Sequence, residues 1–162
     1  MEKHTKEQFN QFMSQLKETN ATLDFFCDFK KIQENVESIS IKLNQLNYLI
    51  GQEDIDAAIR RLWEENKNVF SVLEILIAVR SSDKKMTIMP DGSVRLLSSF
   101  FESVDGVLEY IHGTGLDEVF KSKQIKNLVD YVFGVETGLD TNARKNRSGH
   151  LMEGQVASIF DK

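Results

Sequence analysis

Cysteine and proline are nearly missing from this chain of 162 residues, which contains one of each. A single cysteine, Cys27, excludes an intramolecular disulfide and a multi-cysteine zinc site. One proline leaves few positions at which a helix has to break. Apolar residues at helical spacing therefore predict helix for most of the chain.

Long apolar runs are also missing. The longest apolar patch, Val72–Val79, is interrupted by Glu74 and is far shorter than the roughly 20 residues of a membrane-spanning helix. The first ten residues, MEKHTKEQFN, contain no apolar segment of the kind found in secretory signals. These absences predict a cytoplasmic protein without a membrane partner.

The chain has no excess of positive charge, since its formal net charge is −5. This charge argues against a protein that coats nucleic acid regardless of sequence. The charge is spread unevenly, because residues 1–120 hold 13 lysines and arginines against 20 acidic residues, and residues 121–150 hold six against three. One basic segment on an acidic chain fits a protein that engages phosphate at one place, and a solvated charged face is the alternative.

Apolar residues recur at helical spacing in three stripes. The first comprises Phe9, Phe12, Met13 and Leu16, the second Phe25, Phe29, Ile32, Val36, Ile39, Leu43, Leu46 and Ile50, and the third Ile55, Ile59, Leu62, Phe70, Leu73 and Leu76. Such stripes are typical of helix faces that pack into a core. We predict Thr5 as the N-cap of the first helix, Gly51 as the end of the second, a break at residues 66–68 and a loop at residues 113–115.

One segment, residues 85–97, has a strand pattern. The apolar residues that alternate with polar neighbours are Met86, Ile88, Val94 and Leu96. The intervening Pro90–Ser93 is typical of a turn, so the segment predicts a β-hairpin. We therefore predict a single, mainly helical domain over residues 1–162 with one small hairpin.

The segment Gly134–Phe160 carries the candidate chemistry. Gly134 and Gly138 predict the end of a helix and the start of a loop rich in groups that bind nucleic acid. These groups belong to Asn142, Arg144, Lys145, Asn146, Arg147 and Ser148. Arginine and lysine neutralise phosphates, and asparagine and serine hydrogen-bond phosphate or base edges. The pattern predicts a DNA-contact loop.

A final helix is predicted after this loop, with Ser148 as its N-cap. Its apolar arc comprises Met152, Val156, Ile159 and Phe160. Glu153 falls at the edge of this arc. A carboxylate that follows a phosphate-binding loop by a few residues is suited to contact a metal ion. The alternative for Glu153 is an ordinary solvated residue.

The string GVETGLDTNARKNRSGHLME, from Gly134 to Glu153, closely resembles a signature of the DpnII family of type II restriction endonucleases, which recognise GATC in double-stranded DNA. The segments VLEILIAVR at Val72–Arg80 and IKNLVDYVFGVETG at Ile125–Gly138 are similar as well. The resemblance is strong over residues 69–160 and weak in the first fifty.

This resemblance implies a nuclease of the PD-(D/E)xK type, in which acidic residues hold Mg²⁺ and a water molecule attacks the scissile phosphate. It also implies a homodimer, because a two-fold symmetric protein matches a palindromic site. The residues that match the basic motif of the family are Arg144, Lys145, Asn146 and Arg147. Glu153 matches the helix glutamate of the family and is the implied catalytic and metal-binding residue.

A PD-(D/E)xK core needs strands that carry acidic residues, and the hairpin is the one strand pattern here. We therefore expect an amino-terminal portion of a longer enzyme, in which residues 136–162 lead into the nuclease core that this chain is missing. With an incomplete metal site, the chain is expected not to cleave DNA alone. The alternatives are a non-catalytic DNA-binding or dimerisation fragment, and a helical protein-interaction module whose basic loop binds an acidic partner.

Overall fold

The computed structural model describes residues 2–19 and 22–160, except for the side chains of residues 2–4, 15–19, 148, 151–152, 155–156 and 158–160. The helices are α1 (Glu2–Thr19), α2 (Leu23–Phe26), α3 (Phe29–Leu46), α4 (Ile55–Asn66), α5 (Val104–Thr114), α6 (Leu116–Lys121) and α7 (Leu128–Phe160). Strands β1 (Met86–Ile88) and β2 (Val94–Leu96) pair in an antiparallel sheet. The predicted class, mainly helical with one small hairpin, is confirmed. In the described part of the chain, no helix has the length and apolar character needed to cross a membrane.

The chain divides into two compact units. The helical body comprises residues 34–136, and the terminal unit comprises residues 1–33 together with residues 137–162. The boundaries fall within α3 and α7. Our expectation of one domain over residues 1–162 stays a prediction, because compactness alone does not show whether a unit folds independently.

The hydrophobic core lies in the helical body. Its buried side chains include Val36, Leu43, Leu46, Leu49, Ile55, Ile59, Leu62, Val69, Phe70, Leu73, Leu76, Val107, Ile111, Leu116, Phe120, Leu128 and Val132. They come from α3 to α7 and from two 3₁₀ helices, at Asn47–Leu49 and Lys67–Ile77. The third predicted stripe is thereby confirmed as a core face, and so is the second from Ile32 to Leu46.

The first predicted stripe does not form a core face. Phe9, Phe12 and Met13 lie in α1 and are exposed, and the Leu16 side chain lies outside the described residues. The helix begins at Glu2, so Thr5 lies inside it and its prediction as an N-cap is wrong. An N-cap must precede the first turn, and residues 2–4 already adopt helical backbone.

The second stripe also fails at its start. Cys27 is extended, with φ −159° and ψ 158°, and separates α2 from α3. Phe25 and Phe29 are exposed as a result. At the far end, Gly51 has a φ of +75°, a left-handed conformation that favours glycine, and it follows a 3₁₀ turn at Asn47–Leu49. Gly51 is confirmed as the residue that ends this helical segment.

The predicted break at residues 66–68 is confirmed. Asp54 caps α4 by accepting a hydrogen bond of 3.0 Å from the Ala57 amide. The helix ends at Asn66, whose side chain accepts a hydrogen bond of 3.2 Å from the Asn68 amide. A polar side chain that bonds to a nearby amide competes with helix continuation, and the chain turns into the 3₁₀ helix here.

The glycine loop predicted at residues 113–115 is wrong for its first two residues. Helix α5 extends to Thr114, whose hydroxyl donates a 2.6 Å hydrogen bond to the Tyr110 carbonyl one turn earlier. Gly115 then ends the helix with a φ of +78°. At the start of α5, a Cβ on Gly106 would lie 2.2 Å from the Phe100 carbonyl oxygen, so only glycine fits this position.

Helix α7 is continuous from Leu128 to Phe160, so the predicted break at Gly134 and Gly138 is wrong. A helical glycine costs only about 1 kcal/mol relative to alanine, which neighbouring turns can offset. The predicted loop over residues 142–148 is therefore helical. Ser148 lies in the helix interior, where a residue cannot act as an N-cap, and that prediction is also wrong.

Candidate nucleic-acid interface

Helical geometry sorts the predicted DNA-contact residues onto different sides of α7. At about 100° per residue, Asn142, Asn146, Gly149 and Glu153 follow one another at spacings of four, three and four along one face. All four are exposed. We call this row the α7 polar face. It brings the predicted carboxylate into line with two predicted base-reading amides, which a loop followed by a separate helix would not have done.

Two predicted cations flank this face. Lys145 and Arg147 are exposed on either side of Asn146. Neither side chain has a hydrogen bond or ion pair with another residue in the described part of the chain. The same holds for the amides of Asn142 and Asn146. Among the described residues, nothing takes up the hydrogen-bonding capacity of these four side chains.

Arg144 is held by the protein itself, on the side of α7 away from the polar face. Its Nε atom lies 3.0 Å from Oδ2 of Asp140, one turn earlier. Its Nη1 atom donates a hydrogen bond to the Asp24 carbonyl oxygen. Arg144 thereby connects α7 to the residues around α2.

Asp140 completes this connection. Its Oδ2 atom accepts a 2.8 Å hydrogen bond from the Asp28 amide as well as the bond from Arg144. The Asp28 amide, followed by the Arg144 guanidinium, lowers the pKa of the Asp140 carboxyl below its usual value. The Thr141 hydroxyl adds a 3.1 Å hydrogen bond to the Phe26 carbonyl. We call Asp140, Thr141 and Arg144 the anchoring side chains.

The anchoring contacts were missed by the sequence reasoning. Asp140 and Arg144 stand four residues apart, a spacing at which opposite charges pair on a helix, so this half of the arrangement left a signal. The other half left none. Asp28 and Asp24 lie 112 and 120 residues away from their partners in the chain.

Glu153 is exposed, and so is His150, which lies one turn before it. Its Oε2 atom lies 3.6 Å from Nδ1 of His150, and the two side chains are 81% and 82% exposed. Among the described residues, no group of three or more histidine, cysteine, aspartate or glutamate side chains is placed to hold a metal ion. Magnesium takes about six oxygen ligands. The described residues therefore offer a single carboxylate toward such a site and do not by themselves fit the ion.

One member of the predicted set, Ser148, is only partly described. The backbone of Ser148 lies in α7, but its side chain is outside the description. The same applies to the side chains that were expected to form the apolar arc beside Glu153, which belong to Met152, Val156, Ile159 and Phe160.

A second set of polar groups, also missed, lies in the helical body. The buried Glu136 carboxylate is 2.8 Å from Nη2 of Arg80, and both residues line a cleft of about 240 Å³. Glu74, which precedes Arg80 in the sequence, is also buried. Burial raises the pKa of its carboxyl, and the charge of Asp83 raises it further. The signal for Glu74 was its interruption of an apolar patch. These groups take no part in the α7 polar face.

The sequence profile of the DpnII restriction endonuclease family matches residues 8–162. The chain is 52% identical over 153 residues to the type II restriction enzyme MboI of Moraxella bovis, covering 94% of this chain and 55% of that enzyme. It is 43% identical over 160 residues to MjaIII of Methanocaldococcus jannaschii, with 94% and 54% covered. It is 33% identical over 157 residues to DpnII of Streptococcus pneumoniae, with 94% and 54% covered. The chain spans about half the length of these relatives. No solved structure matches it.

Proposed function

Because the chain belongs to the DpnII restriction endonuclease family, we propose that it is part of a type II site-specific deoxyribonuclease that recognises and cleaves double-stranded DNA at GATC. The profile covers nearly the whole chain, and three relatives named as type II restriction enzymes align over 94% of it. A homodimer acting in the cytoplasm fits this function, since a palindromic site presents the same contacts twice.

The observation that carries the proposal is the α7 polar face with its two flanking cations. Phosphate contacts come from Lys145 and Arg147, whose charges are unpaired in the described structure. Asn142 and Asn146 are suited to base edges, because the asparagine amide can pair with N6 and N7 of adenine. The exposed side of one helix is a shape that the major groove of DNA accepts.

Arg144 and Ser148 belong to the proposed contact set on other grounds. A guanidinium has five N–H donors, and the structure engages Arg144 through Nε and Nη1. Donors on Nη2 are left for a phosphate while the anchoring contacts persist. The Ser148 hydroxyl is next to Arg147 in sequence and can bond to phosphate or sugar.

Glu153 is proposed as the catalytic carboxylate of this chain and as one ligand of Mg²⁺. Its support is its place in line with the proposed base contacts, on a side that is open to solvent. One carboxylate cannot orient a catalytic Mg²⁺, so we propose that the chain by itself binds GATC DNA and does not cut it.

Binding to short duplexes tests the proposed specificity. Fluorescence anisotropy should show tighter binding to a duplex with one central GATC than to an otherwise identical duplex with GTAC. Equal affinities would favour a protein-interaction module or a non-specific surface. Incubation with a GATC plasmid and Mg²⁺ should leave the plasmid intact, and specific double-strand cuts would show that the active site is complete in this chain.

The phosphate contacts have a matched control. Lys145→Ala with Arg147→Ala should weaken binding and reduce the slope of log K against log salt by roughly two units, about one for each lost contact. Lys123→Ala with Lys126→Ala removes the same charge from two exposed positions before α7 and should leave the slope nearly unchanged. Equal effects of the two pairs of substitutions would show that binding depends on the overall charge of the chain and not on contacts from Lys145 and Arg147.

The Glu153 assignment predicts a change in binding even without metal. Glu153→Gln preserves the shape of the side chain and removes a negative charge that we place beside the DNA. Binding at low salt should tighten by roughly twofold to threefold, since Coulomb energies near 1 kcal/mol apply at short range in water. The control Glu102→Gln, at an exposed position in the helical body, should not change it. Unchanged affinity for both variants would place Glu153 away from the DNA.

A further inference from the structure

The segments Val72–Arg80 and Ile125–Gly138 meet at a cleft in the helical body. The first segment contributes apolar side chains and Arg80, the second contributes Glu136, and α3 completes the lining. The volume of the cleft, about 240 Å³, corresponds to about eight molecules of liquid water at about 30 Å³ each, which is room for a purine ring. The proposed DNA contacts on α7 use none of the residues that line this cleft.

The cleft has apolar walls and a polar opening. The apolar lining residues are Ile39, Val72, Ile75 and Val79, of which Val72 and Ile75 are buried. Ser38 is exposed at the opening, where its hydroxyl donates a 2.6 Å hydrogen bond to the Asn35 carbonyl. Apolar walls with a few fixed polar groups are typical of sites for small organic ligands.

An ion pair fixes the order of hydrogen-bonding groups in the cleft. Oε2 of Glu136 lies 2.8 Å from Nη2 of Arg80, and Glu136 is only 5% exposed. No other bond to the Glu136 carboxylate is present among the described residues, so its second oxygen can accept one more hydrogen bond. Nε of Arg80 is buried and has no acceptor in the described part of the chain either. A ligand in the cleft therefore meets two acceptor oxygens and, beside them, guanidinium donors.

We propose that the cleft binds the Watson–Crick edge of an unpaired guanine base. Along this edge the N2 and N1 donors stand beside the O6 acceptor, which is the complement of a carboxylate beside a guanidinium. The N2 and N1 groups donate to Glu136, and O6 accepts from Arg80. The purine ring then packs between the apolar walls, which removes the ring and the walls from water.

The same order of groups selects against the other bases. Adenine offers one donor and one acceptor on this edge, so one oxygen of Glu136 is left without a donor. Cytosine and thymine each offer two acceptors, one of which faces the carboxylate. A buried oxygen without a donor is costly, and sites built on such groups discriminate strongly between ligands. Guanine is the base that satisfies both carboxylate oxygens and the guanidinium.

A free guanine nucleoside and an unpaired guanine in a DNA strand both present this edge. In a duplex the edge is bonded to cytosine, so the cleft does not read a paired GATC site. The proposal is therefore independent of the duplex recognition that we assign to α7, and either one can fail without the other.

Ligand-observed NMR titration of the whole chain with guanosine, inosine and adenosine tests the base preference. Guanosine should bind with a Kd of roughly 0.1–1 mM, as expected for a small ligand with three hydrogen bonds. Adenosine should bind at least about tenfold more weakly, because it leaves one carboxylate oxygen without a donor. Inosine has N1–H and O6 but no N2 amine, and its affinity should lie between the two.

Two aromatic substitutions in α3 test the location. Ser38→Phe places a ring at the opening of the cleft and should weaken guanosine binding at least about tenfold. Ile41→Phe adds the same ring at a 75% exposed position that does not line the cleft, and it should bind guanosine like the parent chain. Both positions are exposed, so circular dichroism should show that both variants fold.

A substitution in the ion pair tests the order of groups. Glu136→Gln replaces one acceptor by a donor, so the preference for guanosine over adenosine should disappear. Because this change leaves the Arg80 charge unpaired, the variant can fail to fold, and the Ser38→Phe comparison then decides alone.

Short thymidine strands with one central guanine or one central adenine separate the two sources of the base. If guanosine binds, the free nucleoside is a ligand. If the guanine strand alone binds and Ser38→Phe removes its advantage over the adenine strand, the ligand is a guanine held in DNA. The proposal is overturned if neither guanosine nor the guanine strand binds better than its adenine counterpart, or if Ser38→Phe leaves that preference intact.

Discussion

The helical body and the terminal unit are built in different ways. The body buries a continuous set of apolar side chains from five α-helices and the 3₁₀ segments between them. In the terminal unit, among residues whose burial is described, Cys27 and Ile32 are the buried apolar residues. Its exposed large apolar residues include Phe9, Phe12, Met13, Leu23, Phe25, Phe26 and Phe29. Hydrophobic burial scales with the apolar area removed from water, so the body should supply most of the stability.

In the terminal unit, directional polar contacts position the helices more than hydrophobic burial does. Asp140, Thr141 and Arg144 bond to backbone atoms of Asp28, Phe26 and Asp24. Each such bond contributes roughly 1 kcal/mol, with more for charged groups, and it also fixes direction. The proposed DNA-contact helix is therefore oriented by a few directional bonds, whereas the core of the helical body supplies most of the stability.

The largest expected effect is a loss of stability, and it tests whether the two units differ in how deeply they bury apolar side chains. Phe70→Ala removes a fully buried ring that lies 5.8 Å from the Trp63 ring and should cost about 3–5 kcal/mol of unfolding free energy. Phe26→Ala in the terminal unit removes a ring that is 50% exposed and should cost less than about 1 kcal/mol. Urea denaturation followed by circular dichroism measures both. Similar losses for the two variants would show that the two units do not differ in the stability that hydrophobic burial supplies.

An intermediate effect separates two neighbours in α7. Arg144→Ala deletes the bonds to Asp140 and Asp24, and the local free energy of opening should fall by about 1–2 kcal/mol. Amide hydrogen exchange in residues 22–28 should then accelerate roughly tenfold. Lys145→Ala removes an exposed cation one residue away and should leave this exchange unchanged. Equal protection in both variants would mean that the anchoring contacts carry no stability.

The smallest effect concerns a pH-dependent contact in the body. His112 Nε2 lies 2.6 Å from Oδ1 of Asp56, and this hydrogen bond is the main reason that its pKa is raised above 6.5. A raised pKa in the folded state stabilises the protein below the pKa of the unfolded chain, and that stability is lost as pH rises through the folded pKa. The Tm advantage over His112→Gln should be roughly 1–3 °C at pH 5 and shrink toward pH 9. A Tm difference that stays constant from pH 5 to pH 9 would show that titration of His112 does not contribute to stability.

Predictions from the sequence succeeded where the signal was local. The alternation around Pro90–Ser93 identified the hairpin, and the stripe from Ile55 to Leu76 identified a core face. They failed where several competing contributions to the free energy, some from residues distant in the sequence, decided the structure. Gly134 and Gly138 were expected to end a helix, but a propensity cost of about 1 kcal/mol each is small beside the cooperative bonding of a long helix. The hydrophobicity of Phe9 could not reveal whether anything packs against it.

The mainly helical class, the hairpin and the family follow from the sequence alone, because spacing and motif are properties of neighbouring residues. The sequence also placed Arg144 and Lys145 in one basic run. The tertiary structure was needed to show that Arg144 is anchored and that Lys145 has no partner among the described residues. The reason is that one residue along a helix is a rotation of about 100°, and the groups that bind Arg144 include a carbonyl 120 residues away.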